Sequence, residues 1–424
     1  MRQTLGRDED MDRSIFEKLM AEQASPCFVF DIDALRERFL AIKEILGKDI
    51  GLCYSIKANP FFIPELIDLA DALEVCSPGE LAICRHYSVP PEKIIYSGVN
   101  KERWDIKEAA DYGAGTFTAE SLLHVRYLND EGLSRGRKLP VLLRLNGGSQ
   151  FGMSAEDIKK VVKARGDLEG IEICGLHYFI GTQRKEKRQS SDIEKLTAFF
   201  EELRVEAGFE FERLEYGPGL KVPYFEGDDF SDTLAPARTL APQLKALAAE
   251  HRTTVEMGRF IAAECGYYMT KVMDLKSNEG LNHAILDGGM NHLVYYGQTM
   301  AMKTPKFFRI AAGSAPSAGS EDAAHSATCK AYDDILPSTP VRNEKWFLYG
   351  SLCSIHDIIC KDVFFEDIAL GDCLVFENAG AYSVTEGIYL FLSRSMPKIY
   401  FVRNGAAELV RGAFRTDVLN RRED

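Results

Sequence analysis

Eight short apolar runs alternate with helix-like segments between residues 49 and 260, and this rhythm constrains the fold of the chain more than any other feature. Segments of alternating strand and helix character predict strands that pair in parallel. Eight strands is the number that closes a β/α barrel, so we predict an α/β fold with a TIM-type (β/α)8 barrel. An open doubly wound sheet has the same rhythm and is the alternative. The predicted strands cover residues 51–57, 73–77, 94–98, 115–118, 141–145, 173–180, 213–217 and 253–257.

The segments between these strands are predicted to be amphipathic helices. In one of them apolar residues recur at steps of three and four, which places them on a single helix face. These residues are Ile193, Leu196, Phe199, Phe200 and Leu203. The predicted helices cover residues 63–72, 80–87, 106–112, 155–164, 192–207 and 235–250.

After Tyr267 the long helices disappear and strand-like runs follow one another, which predicts an antiparallel β-domain. Its strands are predicted at residues 268–275, 283–287, 345–348, 357–360, 372–376, 398–401 and 408–411. Cys27–Asp31 is expected to join this sheet, because the barrel rhythm begins only after a helix with Asp33 as its N-cap. We therefore predict a barrel over 36–266 and a β-domain over 1–35 and 267–424, with a loop at 311–327.

Composition and charge exclude several classes of protein. The net charge is −13, from 51 Lys+Arg against 64 Asp+Glu, which argues against nucleic-acid binding. No apolar run is long enough to span a bilayer, and the first 22 residues lack the apolar core of a signal peptide. The ten cysteines occur singly, without a CxxC pair, so we expect neither disulfides nor a metal site, and a cytoplasmic location.

Unusual residues stand at the predicted strand ends, where barrel enzymes carry their chemistry. Lys57 closes the first strand, and a lysine facing a cleft can form a Schiff base with a carbonyl cofactor. Taken alone, Lys57 is better interpreted as a surface lysine. Glycines near Thr182, Pro218 and Arg259 end three later strands, and glycine lets backbone N–H groups approach a phosphate. Together these ends indicate a carbonyl cofactor that bears a phosphate.

A series of motifs extends the argument to almost the whole chain. Their order resembles that of the fold-type III pyridoxal-phosphate decarboxylases, and diaminopimelate decarboxylases in particular, from residue 26 to about residue 411. The resemblance implies pyridoxal 5'-phosphate as cofactor, an alanine racemase-like barrel with a C-terminal β-domain, and a head-to-tail homodimer with shared active sites. The motifs are YSIKANP, SPGEL, GLHYFIGTQ, YGPGLKVPY, EMGR, LDGGMNH, GSLCSIHD and NAGAYSVTE.

The resemblance also implies roles for individual residues. Lys57 matches the lysine that binds the cofactor, and Glu256 matches the acid that pairs with the pyridine nitrogen. A carboxylate there keeps the nitrogen protonated and the ring a strong electron sink, which favours decarboxylation over racemisation. Cys353 matches the cysteine that protonates the α-carbon from the partner subunit. The remaining cofactor-binding matches are Phe179, Thr182, Gly217, Gly219, Gly258, Arg259 and Tyr382.

Two of the matching positions, Phe179 and Tyr382, correspond to aromatic or histidine residues that contact the cofactor in the family. Phe179 stands where family members usually have a histidine that stacks on the cofactor ring, and a phenyl ring can stack but cannot carry charge. Tyr382 matches a tyrosine that reaches the cofactor from the partner subunit. The substrate is expected at Arg259, Tyr382 and three further residues of the β-domain. These are Tyr295, Ser354 and Asp357.

The departures from the family pattern concern the substrate. Ser354 replaces an acidic residue that binds the distal amine of diaminopimelate, and Tyr295 and Thr299 replace an arginine and a tyrosine that bind its distal carboxylate. An ionic end buried without a partner would cost several kcal/mol. We therefore expect an amino acid that is derivatised or tethered to a carrier protein at its distal end. Compensation by Lys221, His356 or Asp357 would instead restore free diaminopimelate, lysine or ornithine as substrate.

The sequence leaves two other functions open. An amino-acid racemase could use the same scaffold, but it needs a second base opposite the lysine, and Glu256 argues against it. A non-catalytic cofactor-binding protein would need only the barrel. Cys353 and Tyr382 argue against that alternative, because both match catalytic-domain positions outside the barrel.

Overall fold

The computed structural model describes residues 11–312 and 341–423. Contacts divide the chain into two compact units. One unit comprises Ala34–Pro223 and Asp229–Ala263, and the other comprises Met1–Asp33, Tyr224–Asp228 and Glu264–Asp424. We call the first unit the barrel and the second unit the β-domain.

The barrel is a closed ring of eight parallel strands, which confirms the predicted TIM-type fold. Each strand pairs with the next along the chain, and the last strand pairs with the first. The open doubly wound sheet is thereby excluded. The strands are β2 (Ile50–Ser55), β3 (Ala72–Val75), β4 (Ile94–Tyr96), β5 (Thr116–Ala119), β6 (Leu139–Arg144), β7 (Ile171–Phe179), β8 (Arg213–Gly217) and β9 (Arg252–Met257).

Helices follow the strands of the barrel. Three of them begin at a serine N-cap, since the side chains of Ser77, Ser121 and Ser154 each accept a backbone N–H from the first turn. The helices are α2 (Ile32–Leu46), α3 (Ile63–Leu66), α4 (Pro78–His86), α5 (Arg103–Tyr112), α6 (Leu122–Ser134), α7 (Ala155–Lys163), α8 (Glu186–Ala207), α9 (Ala235–Glu250) and α10 (Arg259–Ala262). None of the helices among the described residues is both long enough and apolar enough to cross a membrane.

The β-domain contains a nine-stranded sheet. Its first described elements along the chain are helix α1 (Arg13–Ala21) and strand β1 (Cys27–Asp31). The other strands are β10 (Gly266–Asn278), β11 (Leu281–Leu286), β12 (Phe307–Ile310), β13 (Val341–Tyr349), β14 (Ile358–Ile368), β15 (Cys373–Phe376), β16 (Lys398–Arg403) and β17 (Ala406–Arg411). Seven strands follow the order β14-β13-β11-β10-β1-β16-β17, while β15 pairs with β10 and β12. A short helix, α11 (Ser383–Glu386), lies between β15 and β16.

The prediction of a purely antiparallel sheet is wrong, although β1 does join this sheet as expected. β1 pairs in parallel with β16, and β11 pairs in parallel with β13. Both pairs join strands that are distant in the sequence, so no short turn forces them to run in opposite directions. The sheet is therefore mixed.

Several local predictions also need correction. β2 ends at Ser55, so Lys57 lies in the following 3-10 turn, Ile56–Ala58, and not in the strand. Asp33 is not an N-cap, because α2 begins at Ile32 and the Asp33 carboxylate accepts the backbone N–H of Asn404. The helix predicted at 63–72 is shorter than expected, because α3 ends at Leu66 and Ala72 already belongs to β3. Of the loop predicted at 311–327, all but the first two residues lie outside the described residues.

Candidate active site

Lys57 lies among acidic and aromatic side chains inside the barrel unit. Its Nζ donates to Oε2 of Glu74 at 2.7 Å and lies 3.7 Å from Oε1 of Glu256. The same atom is 3.7 Å from Sγ of Cys76 and 5.8 Å from the centroid of the Phe179 ring. The Lys57 side chain is 32% exposed, whereas Glu74 and Glu256 are buried. The amine of Lys57 is therefore bound by buried acids, while about a third of the side chain remains exposed.

Glu256 is buried at the carboxyl end of β9 and is held by two donors besides its contact with Lys57. Ser55 Oγ donates to Oε1 at 2.9 Å, and Nε2 of His177 lies 3.0 Å from Oε2. Burial alone would raise the pKa of Glu256. The charge of Lys57 and the hydrogen bonds from His177 and Ser55 outweigh burial and hold this pKa below its ordinary value. The group is therefore a carboxylate at neutral pH.

Two further acids of the site, Glu74 and Glu215, were missed by the sequence reasoning. Both are buried, at 3% and 2% exposure, although each lies within an apolar strand. Cβ atoms alternate between the two faces of a strand, so a single polar residue between apolar neighbours points to the opposite face. The pattern apolar–Glu–apolar recurs at Glu74, Glu215 and Glu256, in three different strands, and was the available signal.

His177, Glu215 and Glu256 form a compact trio in which one donor or acceptor atom of each lies within 4.8 Å of the others. An imidazole and two carboxylates are also a possible ligand set for a divalent cation. A cation would have to compete with the Lys57 ammonium for Glu256, and a structural zinc site needs four ligands. We therefore do not interpret the trio as a metal site.

A glycine-rich cradle forms where the loops after β7 and β8 meet. Gln183 ties the two loops together, since its side-chain amide donates to Val222 O at 2.9 Å and accepts from Val222 N at 2.6 Å. Arg184 N also donates to Gly219 O at 2.8 Å. Gly219 has a φ of +61°, and a Cβ there would lie 2.0 Å from Gly181 O, so only glycine fits.

The loop after β9 packs closely on the turn that carries Lys57. A Cβ on Gly258 would lie 2.9 Å from the Cβ of Ala58. Arg259 follows as the first, buried residue of α10. Gly217 packs against the ring of Phe179, where a Cβ would lie 2.4 Å from Cδ2. The barrel thus brings Lys57, Glu256 and Phe179 together. It places Gly217, Gly219, Gly258, Arg259 and the half-buried Thr182 at the carboxyl ends of β7, β8 and β9 or directly after them.

The other predicted site residues lie in the β-domain. Cys353 is exposed and Ser354 half-buried in the loop between β13 and β14. Asp357 is buried, and its carboxylate accepts the backbone N–H groups of Met290 at 2.8 Å and Leu352 at 2.7 Å. Tyr382 is half-buried and has a φ of 68° just before α11. The contacts of Asp357 give it a role in holding its own loop together.

A cavity of about 380 Å³ in the β-domain includes two of the positions at which the sequence departs from the family, Tyr295 and Thr299. Tyr295, Gln298, Thr299 and His356 all line it. Tyr295 is buried, and its hydroxyl donates to Glu377 O. Glu386 is the only carboxylate in the lining, and among the described residues neither lysine nor arginine contributes to it. The remaining lining residues are apolar except for backbone groups: Met290, Leu293, Val294, Met300, Pro305, Ile358, Ile359 and Ile388.

Comparison with known proteins identifies the family. A family described as "Pyridoxal-dependent decarboxylase, pyridoxal binding domain" matches residues 32–263, which is more than half of the chain. The chain belongs to the pyridoxal-dependent decarboxylases. As a member of this family it is a carboxy-lyase that acts on an amino acid, and its cofactor is pyridoxal phosphate.

Several decarboxylases are similar to the chain over most of its length. Diaminopimelate decarboxylase of Aquifex aeolicus is 26% identical over 413 residues, which cover 91% of this chain and 89% of that protein. L-Glutamyl-[BtrI acyl-carrier protein] decarboxylase of Niallia circulans is 26% identical, with 95% and 94% covered. A Staphylococcus aureus enzyme, 2-[(L-alanin-3-ylcarbamoyl)methyl]-2-hydroxybutanedioate decarboxylase, is 24% identical, with 92% and 97% covered. These names give no support to the racemase alternative.

The fold comparison agrees with the family. The structure of diaminopimelate decarboxylase from Helicobacter pylori complexed with L-lysine matches with a TM-score of 0.76, at 20% identity. The match covers 95% of this chain and 98% of that one. At this identity the likeness supports the fold of the decarboxylase, a barrel with an additional sheet.

The residues of this decarboxylase fit pyridoxal phosphate. An accessible lysine amine lies beside the ionised Glu256, which suits an aldehyde and a protonated pyridine nitrogen. The cradle has no room for a Cβ at Gly219, so backbone groups can approach a phosphate closely there. The face of the Phe179 ring lies near the amine, which suits an aromatic cofactor.

Proposed function

We propose that this enzyme decarboxylates an α-amino acid whose distal end is joined to a larger group through an uncharged linkage. The composition of the β-domain cavity is the observation that carries the proposal. Tyr295 and Thr299, at the two positions that would bind the distal carboxylate of diaminopimelate, are uncharged, and an unpaired ionic group would be costly to bury there. A derivatised end would present amide or ester oxygens to Gln298 and Thr299.

In the barrel we propose that Lys57 would hold the cofactor, its Nζ replacing the aldehyde oxygen, which would leave as water. Bound pyridoxal phosphate supplies the electron sink that accepts the electron pair left when CO2 departs. Glu256 keeps a proton on the ring nitrogen, and Phe179 covers one face of the ring. Gly217, Gly219, Gly258, Thr182 and Arg259 bind the phosphate. The contacts of Lys57 with Glu256 and Phe179 support this arrangement.

In the β-domain we propose that Cys353 delivers a proton to the α-carbon after CO2 has left, and that Tyr382 contacts the cofactor. Both would act across a homodimer, each on the active site of the partner chain. The exposure of Cys353 supports this role, because a proton donor for another chain must be accessible. All nine cysteines in the described part of the chain are free thiols, which supports a reducing, cytoplasmic location.

The relatives support a derivatised substrate by name. The Niallia circulans and Staphylococcus aureus enzymes act on an amino acid that is attached to a carrier protein or built into a larger amide, whereas the Aquifex aeolicus enzyme is a diaminopimelate decarboxylase. We infer a substrate of the same general class here, either tethered to a carrier protein or conjugated through an amide. A free diamino acid is the second candidate, but the Asp357 carboxylate is already engaged by two backbone amides, so it does not replace the missing anion.

A panel of substrates tests the proposal. CO2 release should be measured with free diaminopimelate, lysine, ornithine, arginine and glutamate, and with a glutamyl thioester of a carrier protein and a citryl–diaminopropionate amide. We expect kcat/KM for one conjugate to exceed that of every free amino acid by about 100-fold or more. The Lys57→Ala variant gives the background rate. Equal or higher kcat/KM with a free diamino acid would contradict the proposal.

A further inference from the structure

Glu215 is a buried acid of the barrel interior to which the proposed function gives no role. We propose that Glu215 is a positioning residue that, as a protonated carboxylic acid, donates a hydrogen bond to Nδ1 of His177 and thereby directs the Nε2–H of His177 at Glu256. This inference rests on the proposed role of Glu256. It adds a chain of three side chains behind the group that would bind the pyridine nitrogen.

Register places Glu215 and His177 side by side. They are directly paired residues on the adjacent parallel strands β7 and β8, so their side chains point to the same face. Nε2 of His177 already contacts Glu256 at 3.0 Å. Nδ1 of His177 and both carboxyl oxygens of Glu215 are buried and lack a hydrogen-bond partner among the described residues. A carboxyl oxygen of Glu215 and a ring nitrogen of His177 lie within 4.8 Å of each other but make no hydrogen bond in this structure. Because buried polar groups are almost always paired, the proposed bond requires a side-chain movement that a proton on Glu215 would favour.

The surrounding charges determine which form of Glu215 is present. Glu74 and Glu256 share the single ammonium of Lys57, while Arg213 is the other cation facing Glu215. Glu215 accepts no hydrogen bond from the described part of the chain, and an ionised carboxylate without donors is among the costliest groups to bury. Burial, followed by the charges of Glu256 and Glu74, raises the pKa of Glu215 well above its ordinary value. Arg213 and Lys57 act in the opposite sense and do not offset this rise.

A protonated Glu215 has two consequences for Glu256. It places no second negative charge beside Glu256, so that group remains a carboxylate. It also fixes the tautomer of His177, because an Nδ1 that accepts a hydrogen bond leaves the ring proton on Nε2. The imidazole then donates to Glu256 and orients it.

Infrared spectroscopy tests the protonation directly, independently of any role of Glu256. The C=O stretch of a protonated carboxyl group should be present at neutral pH in the wild-type protein and absent in Glu215→Gln. The matched control is Glu108→Gln, which removes an exposed acid paired with Arg85 and should keep the band. A wild-type spectrum without a band that depends on Glu215 would overturn the proposal, whether the group is ionised or bound to a cation.

Stability gives a second readout with a definite sign. A carboxyl group whose pKa is raised in the folded state binds its proton more tightly there than in the unfolded chain, so it loses stability as pH rises between the two pKa values. The unfolding midpoint of the wild type relative to Glu215→Gln should therefore fall as pH rises above about 4.3. A difference between the two proteins that is independent of pH would contradict a raised pKa.

The holoenzyme tests the positioning role. Glu215→Gln keeps a donor for Nδ1 and should keep the pH profile of the cofactor absorbance, whereas Glu215→Leu should shift it and lower kcat roughly tenfold with KM unchanged. An unchanged profile and kcat in a folded Glu215→Leu would overturn the positioning role. If Glu256→Gln also leaves kcat and the pH profile unchanged, the proposed role of Glu256 is wrong. If Glu256→Gln lowers kcat and Glu215→Leu does not, only the proposed role of Glu215 is wrong. Should Glu215→Leu not fold, the infrared result decides.

Discussion

Glu256 carries a charge that the site holds in place through Lys57, Ser55 and His177. Replacing it by glutamine removes the charge and keeps the shape. Because the pyridine nitrogen would lose its anionic partner, the cofactor would be a weaker electron sink, and we expect kcat of Glu256→Gln to fall by roughly 100-fold. The measurement is steady-state CO2 release with the best substrate of the panel.

The matched control for this variant is Glu80→Gln. Glu80 is also an acid of the barrel, but its carboxylate accepts the backbone N–H of Cys76, and the proposed function gives it no role. Retention of the cofactor by Glu256→Gln should be confirmed by absorbance. Turnover by this variant at the wild-type rate would show that the acid does not support the cofactor.

A second buried pair, Glu120 with Arg144, stabilises the barrel between β5 and β6. Nη1 of Arg144 donates to Oε1 of Glu120, and the two side chains are only 8% and 5% exposed. Glu120→Gln leaves the arginine charge buried without its anion, so we expect a loss of about 3 kcal/mol in the free energy of unfolding. Denaturant titration measures this loss.

The comparison for this pair is Arg85 with Glu108 on the surface. Those side chains are 37% and 43% exposed, and solvent screens their attraction. Glu108→Gln should therefore cost less than about 1 kcal/mol. Equal losses for Glu120→Gln and Glu108→Gln would mean that burial adds nothing to the inner pair.

Among the elements, the loop after β8 depends on a backbone conformation that only glycine adopts easily. Gly219→Ala would place a Cβ 2.0 Å from Gly181 O at a φ of +61°. We expect this change to push the two loops of the cradle apart and to weaken cofactor binding by about tenfold or more. Equilibrium binding of pyridoxal phosphate, followed by absorbance, measures the effect.

Gly136 separates strain from crowding. It has a φ of +62°, but a Cβ there would have nothing within 4 Å. Gly136→Ala should cost about 1 kcal/mol of stability and leave cofactor binding unchanged. If both variants bind the cofactor like the wild type, the cradle has no part in holding the phosphate.

The elements also show how far a sequence can predict this fold. The barrel was predictable because each strand and helix has its own periodicity, and neighbours in sequence are neighbours in space. The parallel pairs β1–β16 and β11–β13 were not, because strand direction between distant segments leaves no local pattern. In the site, Lys57 and Glu256 were predicted from motifs, and their contact is observed.

Glu74 and Glu215 illustrate what was missed and why. Their strands were interpreted as apolar runs, so a single acid in each was not given a direction. The alternation of faces along a strand was enough to place both inside the barrel with Glu256. Which of the acids contacts Lys57 depends on side-chain distances, and these cannot be obtained from periodicity.

At the scale of the whole molecule, the account predicts active sites made from two chains. Lys57→Ala and Cys353→Ala should each be nearly inactive alone. If each site takes Lys57 from one chain and Cys353 from the other, random mixing of the two variants should restore about a quarter of the wild-type activity, because half of the dimers are mixed and each of these has one intact site.

Mixing must be carried out under conditions that allow the subunits to exchange. The control is a mixture of Lys57→Ala with the double variant Lys57→Ala/Cys353→Ala, which cannot produce an intact site. If the mixture of single variants stays inactive although mixed dimers are present, each chain must supply its own cysteine or the cysteine has no role.

We propose that Nζ of Lys57 carries pyridoxal phosphate. Borohydride reduction followed by peptide mass spectrometry tests this directly. Reduction fixes the cofactor on the amine that holds it. The account predicts a pyridoxyl-phosphate mass increment on the peptide that contains Lys57, and no increment on that peptide in Lys57→Ala. An increment on another lysine of the wild-type protein, with the Lys57 peptide unmodified, would contradict the account.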